Sequence, residues 1–143
     1  MSIESGTILL FQDFTKEHTD HVIVELTNGS VRLSFNTGVD TAKATLGQGL
    51  NDGTWHLITV RITSSQATIS VDIDTCTGSD CSKTVNTNSD SNTEFSGLPY
   101  LGGVNKLVPR ITQELISDGT FVGCIKVFGI NSRLWQTTHL PLN

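Results

Sequence analysis

Apolar residues recur at every second position over much of this chain. The clearest case is "VIVELTNGSVRLSF", residues 22–35. Val22, Val24 and Leu26 alternate before Asn28–Gly29, and Val31, Leu33 and Phe35 alternate after it. A period of two puts each set on one face of a strand. Asn-Gly is the pair that accepts the positive φ angles of a two-residue type I′ turn, so the stretch predicts a β-hairpin. "GTILLF" before it predicts a buried strand. "TWHLITVRI" and "ATISVDI" predict a second hairpin across "TSSQ". Here Trp55, Leu57, Thr59 and Arg61 fall on one face, and His56, Ile58, Val60 and Ile62 on the other. The size of Trp55 marks its face as the one that fills the core. Residues 75–97 are rich in Ser, Thr, Asn and Asp and read as loop. "PYLGGV" is a short strand, and "GTFVGCIKVFGI" closes the series. No amphipathic helix interrupts these segments, so an all-β antiparallel sandwich or barrel is expected.

Composition agrees with many short strands joined by polar turns. Only 36% of the 143 residues are hydrophobic and 16% are charged. The length fits one domain over residues 1–143, with enough chain to bury a core unaided. The net charge is −5, without a Lys/Arg run, which disfavours nucleic acid as a partner. No apolar run is long enough to insert in a membrane. "MSIESGTILLF" has neither the basic start nor the cleavage site of a signal peptide. Cys76 and Cys81 in "CTGSDC" favour a small disulfide-closed loop in an extracellular protein. The alternative is zinc, for which this spacing supplies only two ligands.

Three segments, in order, carry a family resemblance: "LNDGTWHLITVRI…ATISVD" (50–72), "PYLGGV" (99–104) and "FVGCIKVFGIN" (121–131). They resemble the D-G-x-W-H, V-D, G-G-V and F-x-G-C-I elements of the laminin G-like domain, also named for laminin, neurexin and sex-hormone-binding globulin. The hairpin over 22–38 also fits that family. The resemblance implies a concanavalin A-like jelly roll: two antiparallel sheets acting as a non-enzymatic recognition module. It also implies an extracellular setting, within a secreted protein or a receptor ectodomain, beside neighbours such as EGF modules. Against the family pattern, the usual first strand and a last cysteine to pair with Cys124 have no match here. Excision from a larger protein would explain both, and the sheet edge they leave would favour self-association.

The resemblance further implies a calcium site at the sandwich rim. Asp20 would give a carboxylate, Thr37 and Asn92 carbonyls, and Glu94 a second side chain, with Asp90 as the substitute. Ca²⁺ takes hard oxygen ligands in irregular geometry, and so few carboxylates predict weak binding. The bland alternative makes Asp20 and Glu94 ordinary surface acids. The ligand would be a protein or a glycan. A spacer with no ligand, packing against EGF or cadherin modules, is the other functional class.

Other candidates carry less. Asp72 and Asp74 share a strand face, as paired glycosidase carboxylates do, but no third acid joins them in sequence. His18, Asp20 and His21 in "HTDH" suggest zinc but read as solvated loop residues. His56 has no oriented partner named by the sequence, so its expected role is structural. Asn28–Gly29–Ser30 is an N-glycosylation sequence at the expected hairpin tip.

Overall fold

The computed structural model describes residues 5–12, 20–36, 40–63, 65–76, 78–88, 100–102, 121–125, 127–130 and 133–136. Ten strands run through them, all pairing antiparallel. They are β1 (Ser5–Gln12), β2 (His21–Thr27), β3 (Ser30–Asn36), β4 (Thr41–Leu46), β5 (Ile58–Ile62), β6 (Gln66–Val71), β7 (Ser82–Asn86), β8 (Tyr100–Leu101), β9 (Val127–Ile130) and β10 (Arg133–Gln136). One sheet has five strands in the order β4-β3-β2-β1-β8. A second has three, β5-β6-β7, and β9 pairs with β10.

The β2–β3 hairpin forms as its pattern predicts. Asn28 and Gly29 take φ of 50° and 78°, the left-handed values that a type I′ turn needs. A Cβ at Gly29 would stand 2.7 Å from Asn51 Oδ1 and 3.1 Å from the Gly49 backbone nitrogen, so glycine also permits close packing there. The tip is fixed to that neighbouring segment: Leu50 N–H donates to the Gly29 carbonyl at 2.8 Å, and the Ser30 hydroxyl to the Gly47 carbonyl at 2.8 Å.

The core lies between the two sheets. Val22, Val24, Val31, Leu33 and Phe35 come from β2 and β3, and Ala44 and Leu46 from β4. Ala67, Ile69 and Val71 of β6 meet them from the other sheet, with Ile58 and Val60 packed alongside. These residues alternate along their strands, so one face of each sheet supplies the contact. Polar bonds join the sheets at one side. Lys83 Nζ donates to the Thr45 carbonyl at 2.7 Å, and Asn88 donates to Asp40 through its backbone and side-chain nitrogens at 2.8 and 3.0 Å.

Several expectations need correction. β4 and β7 lie in stretches that carried no strand signal, because alanine and polar residues fill all but one position of each. The second face of the five-stranded sheet is also shielded: Ile23, Glu25, His21, Arg32, Ser34 and Thr7 are all buried. Glu25 and Arg32 sit directly opposite each other and form an ion pair at 3.2 Å. The solvent-facing side of β5-β6-β7 is instead a polar ladder, with Thr68–Thr84, Ser70–Ser82 and Gln66–Asn86 bonds of 2.8, 3.0 and 3.1 Å.

Trp55 is not a core residue. It is 66% exposed. The even-numbered face of β5 packs inward, because Ile58 and Val60 stand opposite Val71 and Ile69. Trp55 and Leu57 therefore share the outward parity with Thr59 and Arg61. The alternation of the sequence survives, but the face assigned to the core is reversed. We expect Trp55→Ala to shift stability by no more than about 0.5 kcal/mol, as for other surface changes. A urea midpoint lowered by several times that amount would show that Trp55 is packed after all.

Candidate functional site

The order of strands brings three separate segments to one end of the five-stranded sheet. β2 begins at His21, which pairs with Asn36, the last residue of β3. β1 ends there too, since Gln12 pairs with His21. β8 enters from the same end, because Tyr100 pairs with Leu10 and Leu101 with Leu9. Gly102 N–H then donates to the Ile8 carbonyl at 2.9 Å. So Asp20 just before β2, the ends of β1 at Gln12 and β3 at Asn36, and the start of β8 at Tyr100 lie toward one rim.

Of the proposed calcium ligands, Asp20 is described; Thr37, Asp90, Asn92 and Glu94 lie outside the described residues. Asp20 is fully buried, at 0% exposure. It is no ordinary surface acid, and the expectation of solvated residues at "HTDH" fails with it. His21 is buried as well and bonds through Nε2 to the Ser34 hydroxyl at 3.2 Å. His18 lies outside the described residues. Among the described residues, no three His, Cys, Asp or Glu side chains gather into a metal site.

The opposite end of the sheet carries Asn28, exposed on the hairpin tip. Cys76 and Cys81 form a disulfide with Cα atoms 6.1 Å apart, which closes the loop around a 3₁₀ turn at Ser79–Cys81 and removes both thiolates as zinc ligands. Cys124 is a free, exposed thiol.

His56 has the partner that the sequence did not name. Its Nδ1 lies 2.8 Å from Asp72 Oδ2, and its Nε2 lies 3.0 Å from Asp52 Oδ1 and 3.2 Å from the Thr54 hydroxyl. A hydroxyl, an imidazole and a carboxylate in line superficially resemble a catalytic triad. The details oppose that role. The Thr54 hydroxyl bonds Asp52 at the shorter distance of 2.7 Å, and Asp52 occupies the ring nitrogen that a general base would offer. Asp72 raises the pKa of His56, burial opposes that rise and Asp52 adds to it. Both ring nitrogens are engaged by carboxylates, so neither is left free to face a nucleophile. Asp72 also accepts the Leu57 N–H at 2.8 Å and has φ of 50°, so it ends β6 while capping the approach to β5. Asp74 is exposed and stands apart from these bonds as a glycosidase partner.

Comparison with known proteins places this arrangement. The model of the laminin G domain family matches residues 2–133. The chain belongs to the laminin G family. It is 34% identical over 126 residues to a Drosophila melanogaster laminin subunit alpha, covering 82% of this chain and 3% of that protein. It is 25% identical over 142 residues to Mus musculus protocadherin Fat 4, covering 92% of this chain and again 3% of the relative. The solved structure of mouse laminin alpha1 domains LG4-5 superposes with a TM-score of 0.60 at 20% identity, over 75% of this chain and 27% of that one. That likeness shows the laminin G jelly-roll sandwich. This laminin G chain therefore spans a small fraction of the relatives it matches. Laminin G domains are non-enzymatic modules of extracellular matrix and adhesion proteins, which agrees with the disulfide and with the blocked histidine.

Proposed function

We infer that this laminin G domain recognises an extracellular protein or glycan through the rim at the start of β2, with Ca²⁺ held there. The observation that carries the reading is the register. Asp20 stands directly before β2, at the sheet end where β1 and β3 finish and β8 begins; Thr37, Asn92 and Glu94 are the further ligands that the family resemblance supplies in sequence. Calcium needs oxygen ligands drawn from such separate segments and tolerates carbonyls and waters among them. The burial of Asp20 supports the fit, since its side chain is held within the fold at this sheet end rather than in solvent. Asn28 on the far end would carry any glycan clear of this rim.

Titration calorimetry with Ca²⁺ tests the reading. The domain is expected to bind with Kd on the order of 10⁻⁴–10⁻³ M, the range of extracellular modules. Asp20→Asn, which keeps the shape of a buried side chain, should weaken binding at least about tenfold, the equivalent of 1.4 kcal/mol. No heat from the parent domain at millimolar Ca²⁺, or equal binding by a folded variant, would reject the site.

A second reading has its own observation. Trp55, Leu57 and Ile73 are exposed apolar side chains around the start of β5 and the exit from β6. They favour a packing face against a neighbouring module, in which case the domain acts as a spacer. Binding at the rim and packing at this face are separable by the Asp20 variant, which leaves Trp55 untouched.

A further inference from the structure

Asp52, His56 and Asp72 tie three pieces of backbone together. Asp52 lies in the turn before β5, with its Oδ1 accepting the Thr54 N–H at 2.8 Å and the Thr54 hydroxyl at 2.7 Å. His56 leads into β5. Asp72 follows the last residue of β6, and its backbone N–H donates to the Leu57 carbonyl at 2.8 Å. The ring joins them through both nitrogens, at 2.8 Å to Asp72 and 3.0 Å to Asp52. A neutral imidazole has one N–H, whereas the imidazolium has two. Both contacts are donor-to-carboxylate bonds only in the charged ring.

We propose that Asp52, His56 and Asp72 form a proton-dependent clamp, which holds the turn before β5 against the exit from β6 and opens on the Asp52 side when the ring loses its proton. The order of opening follows from the geometry. With its remaining proton on Nδ1, the neutral ring keeps the shorter bond to Asp72. Nε2 then turns a lone pair toward Asp52 Oδ1. The Thr54 hydroxyl, 3.2 Å from Nε2, is placed to swing its proton from Asp52 to the ring. Asp52 thereby loses two of its three bonds and keeps the Thr54 backbone N–H.

The pH window has two edges. The pKa of His56 is raised, first by its bond to Asp72, then by Asp52, with burial opposing. A raised histidine stabilises the fold fully below its ordinary value of about 6.5, and that contribution is lost as pH climbs through the raised value. Asp52 is pulled down to about 2, first by the Thr54 N–H, then by the Thr54 hydroxyl and His56. Asp72 is lowered mainly by its bond to His56. Lowered carboxylates contribute above their ordinary value of about 3.9, and that is lost as pH falls through the lowered values. The clamp is therefore closed from about pH 4 to 6.5 and opens above the raised His56 value. Asp52 from the preceding turn and Asp72 from the exit of β6 are the charged groups acting on the ring among the described residues.

Two measurements on the 143-residue chain test this. In an NMR titration, the His56 imidazole, assigned through its own backbone, should titrate above about 6.5, the ordinary value. Asp52→Asn, at an exposed site, should bring that midpoint down. A midpoint at or below the ordinary value, or one that ignores Asp52→Asn, overturns the clamp. In urea unfolding between pH 5.5 and 8.5, the stability gap between the parent chain and His56→Gln should shrink as pH rises. A gap that stays constant assigns His56 a purely structural role and also overturns the proposal.

Discussion

Phe35→Ala is expected to cost about 3–5 kcal/mol of folding free energy, the range for truncating a buried aromatic ring. Phe35 is fully buried in β3, opposite Val22 on one side and Ala42 on the other, in the cluster shared by both sheets. Its removal loses the transfer energy of the ring and leaves a cavity that a laddered sheet closes poorly. The loss is a large part of the stability of a typical domain, about 5–15 kcal/mol. Urea unfolding should show a much lower midpoint with little change in slope. Ile69→Ala reports from the facing sheet, and the two changes should couple if the sheets meet as described. A Phe35→Ala midpoint near that of the parent chain would mean that this face is not the core.

Arg32→Met should rank beside it, at about 3–5 kcal/mol, because it removes the cation 3.2 Å from the buried Glu25 carboxylate and leaves that charge in place. The loss comes from desolvated charge rather than from volume, so the double change Glu25→Gln/Arg32→Met should recover much of it. Thermal or urea unfolding of the three variants measures this. A double variant as unstable as Arg32→Met alone would show that packing of the arginine stem, not the charge, sets the cost.

Both effects sit on features that the sequence holds unequally. The hairpin at Asn28–Gly29 was legible because only a few residue pairs accept its turn, and that turn fixes the register. The same register puts Glu25 opposite Arg32, so the ion pair was available to anyone extending the ladder outward from the turn. What the strand pattern could not supply was the burial of the second face, which depends on the rest of the chain. The face of β5 was misjudged for a related reason. Alternation separates two faces but does not say which is inside, and the bulk of Trp55 outweighed the β-branched Ile58 and Val60 that make the contact. Size marks a residue that gains from burial, whereas the packing of β6 decides which residues get it.

The His56–Asp72 bond was hidden by sequence distance alone. Extending the β5–β6 ladder by one pair beyond Ile58 and Val71 sets Leu57 against Asp72, one position from His56. β4 and β7 were lost for want of apolar residues: Ala42, Ala44 and Leu46 alternate with Thr41, Lys43 and Thr45, but alanine is a weak strand signal. The rim ligands rest on the family resemblance rather than on the strand pattern. The topology adds that Asp20 stands at the sheet end where β1 and β3 finish and β8 begins, and that it is buried rather than a surface acid.

The central claim is that the functional surface is the rim at the start of β2. The direct measurement is a Ca²⁺ titration followed by amide NMR shifts across the whole domain. Shifts that concentrate at residues 20–22, 35–36 and 100–102, with Asn28–Ser30 at the far end unmoved, are the predicted result. Shifts centred on the Asn28 end or on the β5-β6-β7 face, or none at millimolar Ca²⁺, would contradict it.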